Sequence, residues 1–110
     1  MLNLFKLMVG LFLSFSFLNS YAIRISVQSS SSGVYALGYT VNGKDFGGAG
    51  KSYTNSNSPV GVYTFGIRAG GLIIGKKDVG CPIGGNKSIK LDHDANVTLY
   101  YDGQKCTARK

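Results

Sequence analysis

The chain has 110 residues, enough for one small domain, and carries 12 Lys and Arg side chains against five Asp and no Glu, a net charge of +7. One His, no Glu and only two Cys leave few general acids, bases or nucleophiles, so the composition argues against an enzyme. The positive charge favours anionic partners such as acidic glycans, lipid headgroups or an acidic protein surface, but no dense basic run supports dedicated nucleic-acid binding.

The first 22 residues have the three parts of a cleavable signal peptide. Lys6 gives a weakly charged start, residues 7–18 form an apolar run, and Ser20 and Ala22 occupy the small-residue positions that a signal peptidase reads. A membrane-spanning helix needs about 20 apolar residues, which makes a retained anchor the weaker interpretation. We therefore predict cleavage after Ala22, a secreted or periplasmic location, and a single mature domain over residues 23–110.

The only two cysteines, Cys81 and Cys106, both lie in the mature part. Export takes them to an oxidising compartment, and an even count without CxxC spacing favours a disulfide over a metal or redox pair. Closing this loop would contribute about 3–4 kcal/mol by restricting the unfolded chain. In a domain with a small core, that contribution can decide whether the fold is stable.

The start of the mature chain has the period-two alternation of β-strands. Apolar and polar side chains alternate over residues 23–28 and again over residues 35–41, where Tyr35 falls on the predicted core face. Asn42-Gly43 follows and predicts a two-residue type I′ hairpin, because both turn positions need a positive φ. We therefore expect two antiparallel strands joined by this turn.

The middle of the chain is predicted to alternate between strands and polar or glycine-rich breaks. The return strand that begins at Lys44 is expected to stop at the glycines of residues 47–50, and residues 54–59 are predicted to form a polar loop. Three segments follow: a long strand at 60–68, a short apolar strand at 72–74 and an irregular stretch at 76–87.

The last hairpin allows the position of Cys106 to be predicted. Val97, Leu99 and Tyr101 alternate with polar or exposed residues, and Asp102-Gly103 is a second type I′ signal. In a two-residue loop Leu99 would face Cys106, and opposed residues share one face of the sheet. The sulfur is therefore expected to point inward, where it can bridge to a neighbouring strand or sheet.

About seven short antiparallel strands, separated by regular turn signals, predict an all-β fold with one disulfide. A small β-sandwich is the expected architecture, and a small barrel is the alternative. The chain contains no Trp, which excludes the core of immunoglobulin domains, where a Trp packs on the disulfide.

Polar, aromatic and basic residues mark candidate contact surfaces. Tyrosine offers rigid contact area with a hydroxyl group, and two tyrosines are expected at the surface, one of them beside the predicted polar loop. An inert loop, and a basic surface that serves solubility alone, are the alternatives. The candidate ligand contacts are Tyr53, Asn55, Asn57, Tyr100, Lys76 and Lys77.

An apolar triplet between glycines and cations is a candidate membrane contact. Leu72, Ile73 and Ile74 could enter a bilayer while neighbouring cations hold lipid headgroups. The alternative is a buried strand beside a tight turn.

The only histidine, His93, lies between Asp92 and Asp94 in a predicted turn. Such a cluster is usually solvated, and the two carboxylates would make at most a weak metal site, because the EF-hand pattern is missing. No nucleophile elbow accompanies the histidine. We therefore predict no catalytic residue, no cofactor and no bound metal.

Residues 32–35, Ser-Gly-Val-Tyr, resemble a Ser-Gly…Tyr segment of the periplasmic lysozyme inhibitors, which are also small, exported and β-rich. This four-residue resemblance implies that Ser32 and Lys44 lie near an acidic enzyme cleft. The residues themselves favour a secreted, non-enzymatic binding module, a host- or surface-directed bacterial effector that recognises an anionic or glycan ligand. The alternatives are an inhibitor of a secreted hydrolase, a membrane-surface-binding protein and an enzyme built on His93.

Overall fold

Two β-sheets pack face to face in a computed structural model that describes residues 22–71 and 75–110. No helix occurs in these two ranges, and so none that could cross a membrane. The signal-peptide prediction falls almost wholly on residues outside them, as do Leu72, Ile73 and Ile74. The nine strands are β1 Ala22–Gln28, β2 Val34–Val41, β3 Lys44–Ala49, β4 Ser52–Pro59, β5 Gly61–Gly71, β6 Gly75–Cys81, β7 Ile89–Leu91, β8 Ala95–Tyr101 and β9 Cys106–Arg109.

Sheet A has the strand order β4-β1-β8-β9, and sheet B has the order β3-β2-β5-β6, with β7 paired to β5 beyond the end of β6. The pair β1–β8 is parallel, whereas the sequence predicts antiparallel strands only. Parallel strands are joined by a crossover connection rather than by a hairpin, so no short turn motif in the sequence predicts the pair. The sheets do not close on each other, which confirms the sandwich and not the barrel.

The core lies between the two inner faces and follows the predicted alternation. In sheet A, Ile25, Val27, Val97 and Leu99 are fully buried, and their neighbours along the strands point outward. Burying one such side chain contributes about 1.5–3 kcal/mol. The inner face of sheet B is more aromatic, and the rings of Tyr39, Tyr63 and Phe65 contact one another there.

The first hairpin forms as predicted, but the glycines after it do not break the strand. Asn42 and Gly43 have φ values of 53° and 77°, and Val41 faces Lys44. The return strand β3 continues to Ala49, with Gly47 opposite Gly38. A Cβ on Gly38 would lie 2.1 Å from a backbone oxygen of β3, so glycine is needed inside this strand pair.

The predicted loop at residues 54–59 is wrong, because this segment belongs to β4. The strand pairs with β1 at the edge of sheet A and carries a bulge between its contacts to Ile23 and Ile25. An edge strand can be polar, because one of its edges faces solvent and the other is held by backbone hydrogen bonds to the neighbouring strand. Such a strand shows little hydrophobic alternation in the sequence. The irregular stretch predicted from residue 76 is likewise wrong up to Cys81, where β6 pairs with β5.

Tyr35 does not reach the core. The pairing of β2 with β5 shifts between Val34 and Ala36, and a bulge of this kind reverses the face on which a side chain lies. Val34 is therefore buried, whereas Tyr35 is 39% exposed.

The last hairpin has a longer turn than predicted. Tyr101 faces Cys106, so four residues form the turn, and Leu99 faces Ala108. Asp102 closes this turn with its carboxylate, which accepts hydrogen bonds from the backbone N–H groups of Gln104 and Lys105 at 2.9 and 2.7 Å. These bonds lower the pKa of Asp102 and replace the type I′ geometry.

A buried hydroxyl chain joins the two sheets. Ser58 of β4 shares hydrogen bonds with the hydroxyls of Tyr39, at 2.8 Å, and Tyr63, at 2.6 Å. The Tyr63 hydroxyl also bonds the carbonyl of Pro59. Burial raises the pKa of both tyrosines above 10, because the phenolate would lose its hydration.

We expect the free energy of unfolding to fall as the pH rises beyond about 10, the pKa of an unfolded tyrosine. The folded state keeps the protons of Tyr39 and Tyr63 to a higher pH, so their contribution is complete below pH 10 and lost above it. Urea unfolding at stepwise alkaline pH, followed with phenolate absorbance, measures this. The double variant Tyr39→Phe/Tyr63→Phe should show a smaller alkaline loss, and equal losses in both proteins would contradict the assignment.

Candidate functional site

A cleft of about 750 Å³ opens beside β9, the edge strand of sheet A. One wall includes the outward side chains of Tyr100, Thr107 and Arg109 on β8 and β9, and the other consists of residues 83–86 and Ile89. The volume lies within the range of small-ligand sites. The side chains with the chemistry to contact a ligand are Asn86, Tyr100, Thr107, Arg109 and Lys110.

The second wall is built by a tight turn at Gly84-Gly85. Both glycines have positive φ, at 58° and 82°, as a type I′ turn requires. Ile83 and Asn86 close the turn with two backbone hydrogen bonds of 2.8 and 2.9 Å. The glycines therefore hold Asn86 at the rim of the cleft, where its side chain is exposed.

The disulfide holds this wall against β9. Cys81 of sheet B is bonded to Cys106 of sheet A, as the sequence predicts. Just beyond it, the backbone N–H of Ala108 donates to the carbonyl of Pro82 at 2.8 Å, and Ile83 pairs with Ala108 in a parallel bridge. The cleft is thus shaped by contacts that lie within a few residues of the disulfide.

The first wall presents a cation against an aromatic ring. Tyr100 faces Thr107 and Thr98 faces Arg109, so Tyr100 and Arg109 are diagonal neighbours on the outer face. The Arg109 guanidinium carbon lies 5.8 Å from the centre of the Tyr100 ring, and Tyr100 is 48% exposed. Among the described residues that line the cleft, Arg109 and Lys110 are charged and none is acidic.

Of the predicted ligand contacts whose side chains the structure describes, only Tyr100 lies at this cleft. Tyr53 and Asn55 are on β4, and Tyr53 packs inward with its ring 6.0 Å from that of Tyr39. Asn57 is exposed on the same strand, while Lys76 and Lys77 belong to β6 of the other sheet. The structure therefore does not gather these candidates into one surface.

The segments singled out for other chemistry lie apart from the cleft residues. Ser32 precedes β2 and Lys44 follows it, so the two ends of this strand separate them by more than about 20 Å.

The Asp92 carboxylate contacts His93 Nδ1 at 2.7 Å, which lowers the pKa of Asp92. Asp94 accepts a hydrogen bond from the backbone N–H of Arg24. Within residues 22–71 and 75–110, no three His, Cys, Asp or Glu side chains group as metal ligands.

Two important cleft residues, Asn86 and Arg109, are not among the ligand contacts predicted from the sequence. The Gly-Gly pair before Asn86 is itself a hairpin-turn signal and could have indicated the first. Arg109 could have been found only with the correct register of the last hairpin, because the pairing with Thr98 places it beside Tyr100.

A second, shallower groove of about 370 Å³ crosses the outer face of sheet B over a floor that includes Gly38, Gly66 and Gly80. Its charged groups are already engaged within the protein. The Thr40 hydroxyl donates to Asp45 at 2.8 Å, and an ion pair of 2.9 Å joins Arg68 and Asp78. The cleft beside β9 therefore offers the more available ligand-binding groups.

Comparison of the chain with protein-family models, with curated proteins and with solved structures returns no significant match. The fold alone does not specify a function, so the functional argument depends on the chemistry of the cleft.

Proposed function

We propose that this protein is a secreted, non-enzymatic binding module that holds an anionic sugar in the cleft beside β9. The observation that carries the proposal is the Tyr100–Arg109 pair at a cleft where the lining residues that the structure describes include two cations and no acidic side chain. An anionic ligand would meet attraction there without a competing carboxylate.

The side chains fit a charged sugar in three ways. The exposed ring of Tyr100 can pack against the apolar face of a sugar ring. Asn86 and Thr107 can form hydrogen bonds with hydroxyl groups. The Arg109 guanidinium can bind a carboxylate or sulfate through two parallel hydrogen bonds, which makes it the main source of affinity.

The cleft lacks the groups that would turn over such a ligand. Glycoside hydrolysis usually uses two carboxylic acids on either side of the scissile bond, and within residues 22–71 and 75–110 neither Asp nor His lines the cleft. The His93 cluster lies between β7 and β8, outside the lining. These facts support binding rather than catalysis.

The disulfide supports the location. A structural disulfide between two sheets is typical of extracellular or periplasmic proteins, because cytosolic thiols are kept reduced. Together with the predicted signal peptide, it supports a protein that meets its ligand outside the cytoplasm, on a host or bacterial surface.

The proposal predicts that Arg109→Gln weakens binding of a sulfated or uronic-acid disaccharide by about ten- to a hundredfold, the effect of losing one charged hydrogen-bonding group. Titration calorimetry of the oxidised mature protein measures this. Tyr100→Ala should weaken binding as well, since it removes the stacking surface.

Lys44→Gln is the matched control, because it removes an equal charge from the exposed edge of the other sheet. It should leave the affinity unchanged. Equal weakening by Arg109→Gln and Lys44→Gln would show that net charge alone governs binding and would contradict a site at the cleft, as would no binding of either disaccharide.

A further inference from the structure

The outer face of sheet A continues from the cleft as a regular array of polar side chains. Strand pairing places Ser52, Gln28, Thr98 and Arg109 in one row across all four strands. The Gln28 amide donates to the Thr98 hydroxyl at 3.4 Å. This row therefore connects the cleft residue Arg109 to the far edge of the sheet.

A second row runs parallel to the first. Ser26 faces Thr54 on one side and Asn96 on the other, and the hydroxyls of Ser26 and Thr54 lie 3.0 Å apart. Hydroxyl and amide groups at strand spacing form a flat surface that can exchange hydrogen bonds with the hydroxyls of a sugar chain.

The charged side chains that the strands of this face carry are all positive. The strands of sheet A contain two charged residues, Arg24 and Arg109, and no Asp, because the five Asp are in sheet B or in connections. Both arginines are exposed on outward positions. Asp94 accepts a hydrogen bond from the backbone of Arg24, but the ion pairs of the described residues are formed elsewhere, by Arg68 with Asp78 and His93 with Asp92.

We infer that the ligand is a polyanionic polysaccharide, with one charged sugar in the cleft at Arg109 and the chain extending across the outer face of sheet A to Arg24. This inference rests on the proposed function and adds the length and path of the ligand. Arg24 lies two strands from Arg109 and four residues along β1 from Gln28. Combining the spacing between strands with the rise per residue puts Arg24 and Arg109 about 16 Å apart. One sugar ring cannot span this distance, whereas a chain of several rings can.

The test is a series of heparin-derived and polygalacturonate fragments of increasing length, titrated into the mature protein and its Arg24→Gln variant. Affinity of the wild-type protein should rise with length until the fragment reaches Arg24, and then level off. Arg24→Gln should lower the affinity for long fragments by about three- to fivefold, as expected for one exposed ionic contact, and leave disaccharide binding unchanged. Lys44→Gln, with the same loss of charge on sheet B, should change neither.

The outcomes separate this inference from the proposed function. Disaccharide binding that depends on Arg109, with no effect of fragment length or of Arg24→Gln, would overturn the extended path and leave the cleft as the site. Failure of every fragment to bind would overturn both. Equal affinity for single-stranded DNA of matched charge would show that the face binds polyanions by charge alone, without recognising sugars. That result would overturn the saccharide assignment.

Discussion

The double variant Cys81→Ala/Cys106→Ala is expected to lose about 3–4 kcal/mol of unfolding free energy, as the closed loop of 25 residues predicts. Small domains have a total of about 5–15 kcal/mol, so the variant should keep about 1–12 kcal/mol and lose a substantial fraction of its stability. The bond also joins the edges of the two sheets. Urea unfolding of the variant and of the oxidised mature protein measures the difference.

Loss of the disulfide should reduce ligand binding more strongly than it reduces the stability of the fold. The segment that carries Asn86 is held to β9 by the disulfide and by the bonds of Ala108 next to it. Removing the disulfide therefore opens one wall of the cleft. Reduced wild-type protein should behave like the double variant, and intact mass should show the oxidised form about 2 Da lighter than the reduced form. Unchanged stability on reduction, or free thiols in the folded protein under oxidising conditions, would contradict this role.

Local signals predicted this fold well wherever one residue type determines the backbone. Asn42 and Gly43 adopt the two positive φ values that Asn and Gly tolerate better than other residues do. Asp102-Gly103 has a similar signal, but the Asp102 carboxylate binds two backbone N–H groups of a longer turn, and this alternative cannot be separated from a type I′ turn by the dipeptide alone.

The error in that turn had different consequences for the core and for the site. The observed pairing is shifted by two residues from the predicted one, and a shift of two preserves the face of every side chain. Cys106 therefore points inward as predicted. The same shift moves Arg109 from a position opposite Asn96 to one opposite Thr98, beside Tyr100, so the cleft could not be found from the sequence.

The missed strand β4 shows a second limit. Its residues are almost all polar, and much of what holds it in place is distant in sequence: the pairing with β1 and the contact of Ser58 with Tyr39. A strand defined by tertiary contacts has no local hydrophobic pattern to detect.

Substituting glycines of sheet B by alanine is expected to have the second large effect on the free energy of unfolding. Gly38 and Gly80 lie in one row across the outer face, through Gly66, and neither has a positive φ. A Cβ on Gly38 would lie 2.1 Å from the carbonyl oxygen of Phe46 and 2.8 Å from the Cα of Gly47, both in the backbone of β3. A Cβ on Gly80 would meet no atom within 4 Å.

Gly38→Ala should therefore destabilise the protein by about 3 kcal/mol, because β3 has to move away from β2 to admit the methyl group. Gly80→Ala should be neutral or stabilising by about 0.4–1 kcal/mol, since alanine restricts the unfolded chain. Denaturant unfolding measures both changes, and hydrogen exchange should show the loss of protection in Gly38→Ala concentrated in β3. Similar stabilities for the two variants would mean that β2 and β3 do not approach as closely as this. The double variant Gly38→Ala/Gly47→Ala should cost less than the sum of the two single changes, because both methyl groups require the same separation of the strands.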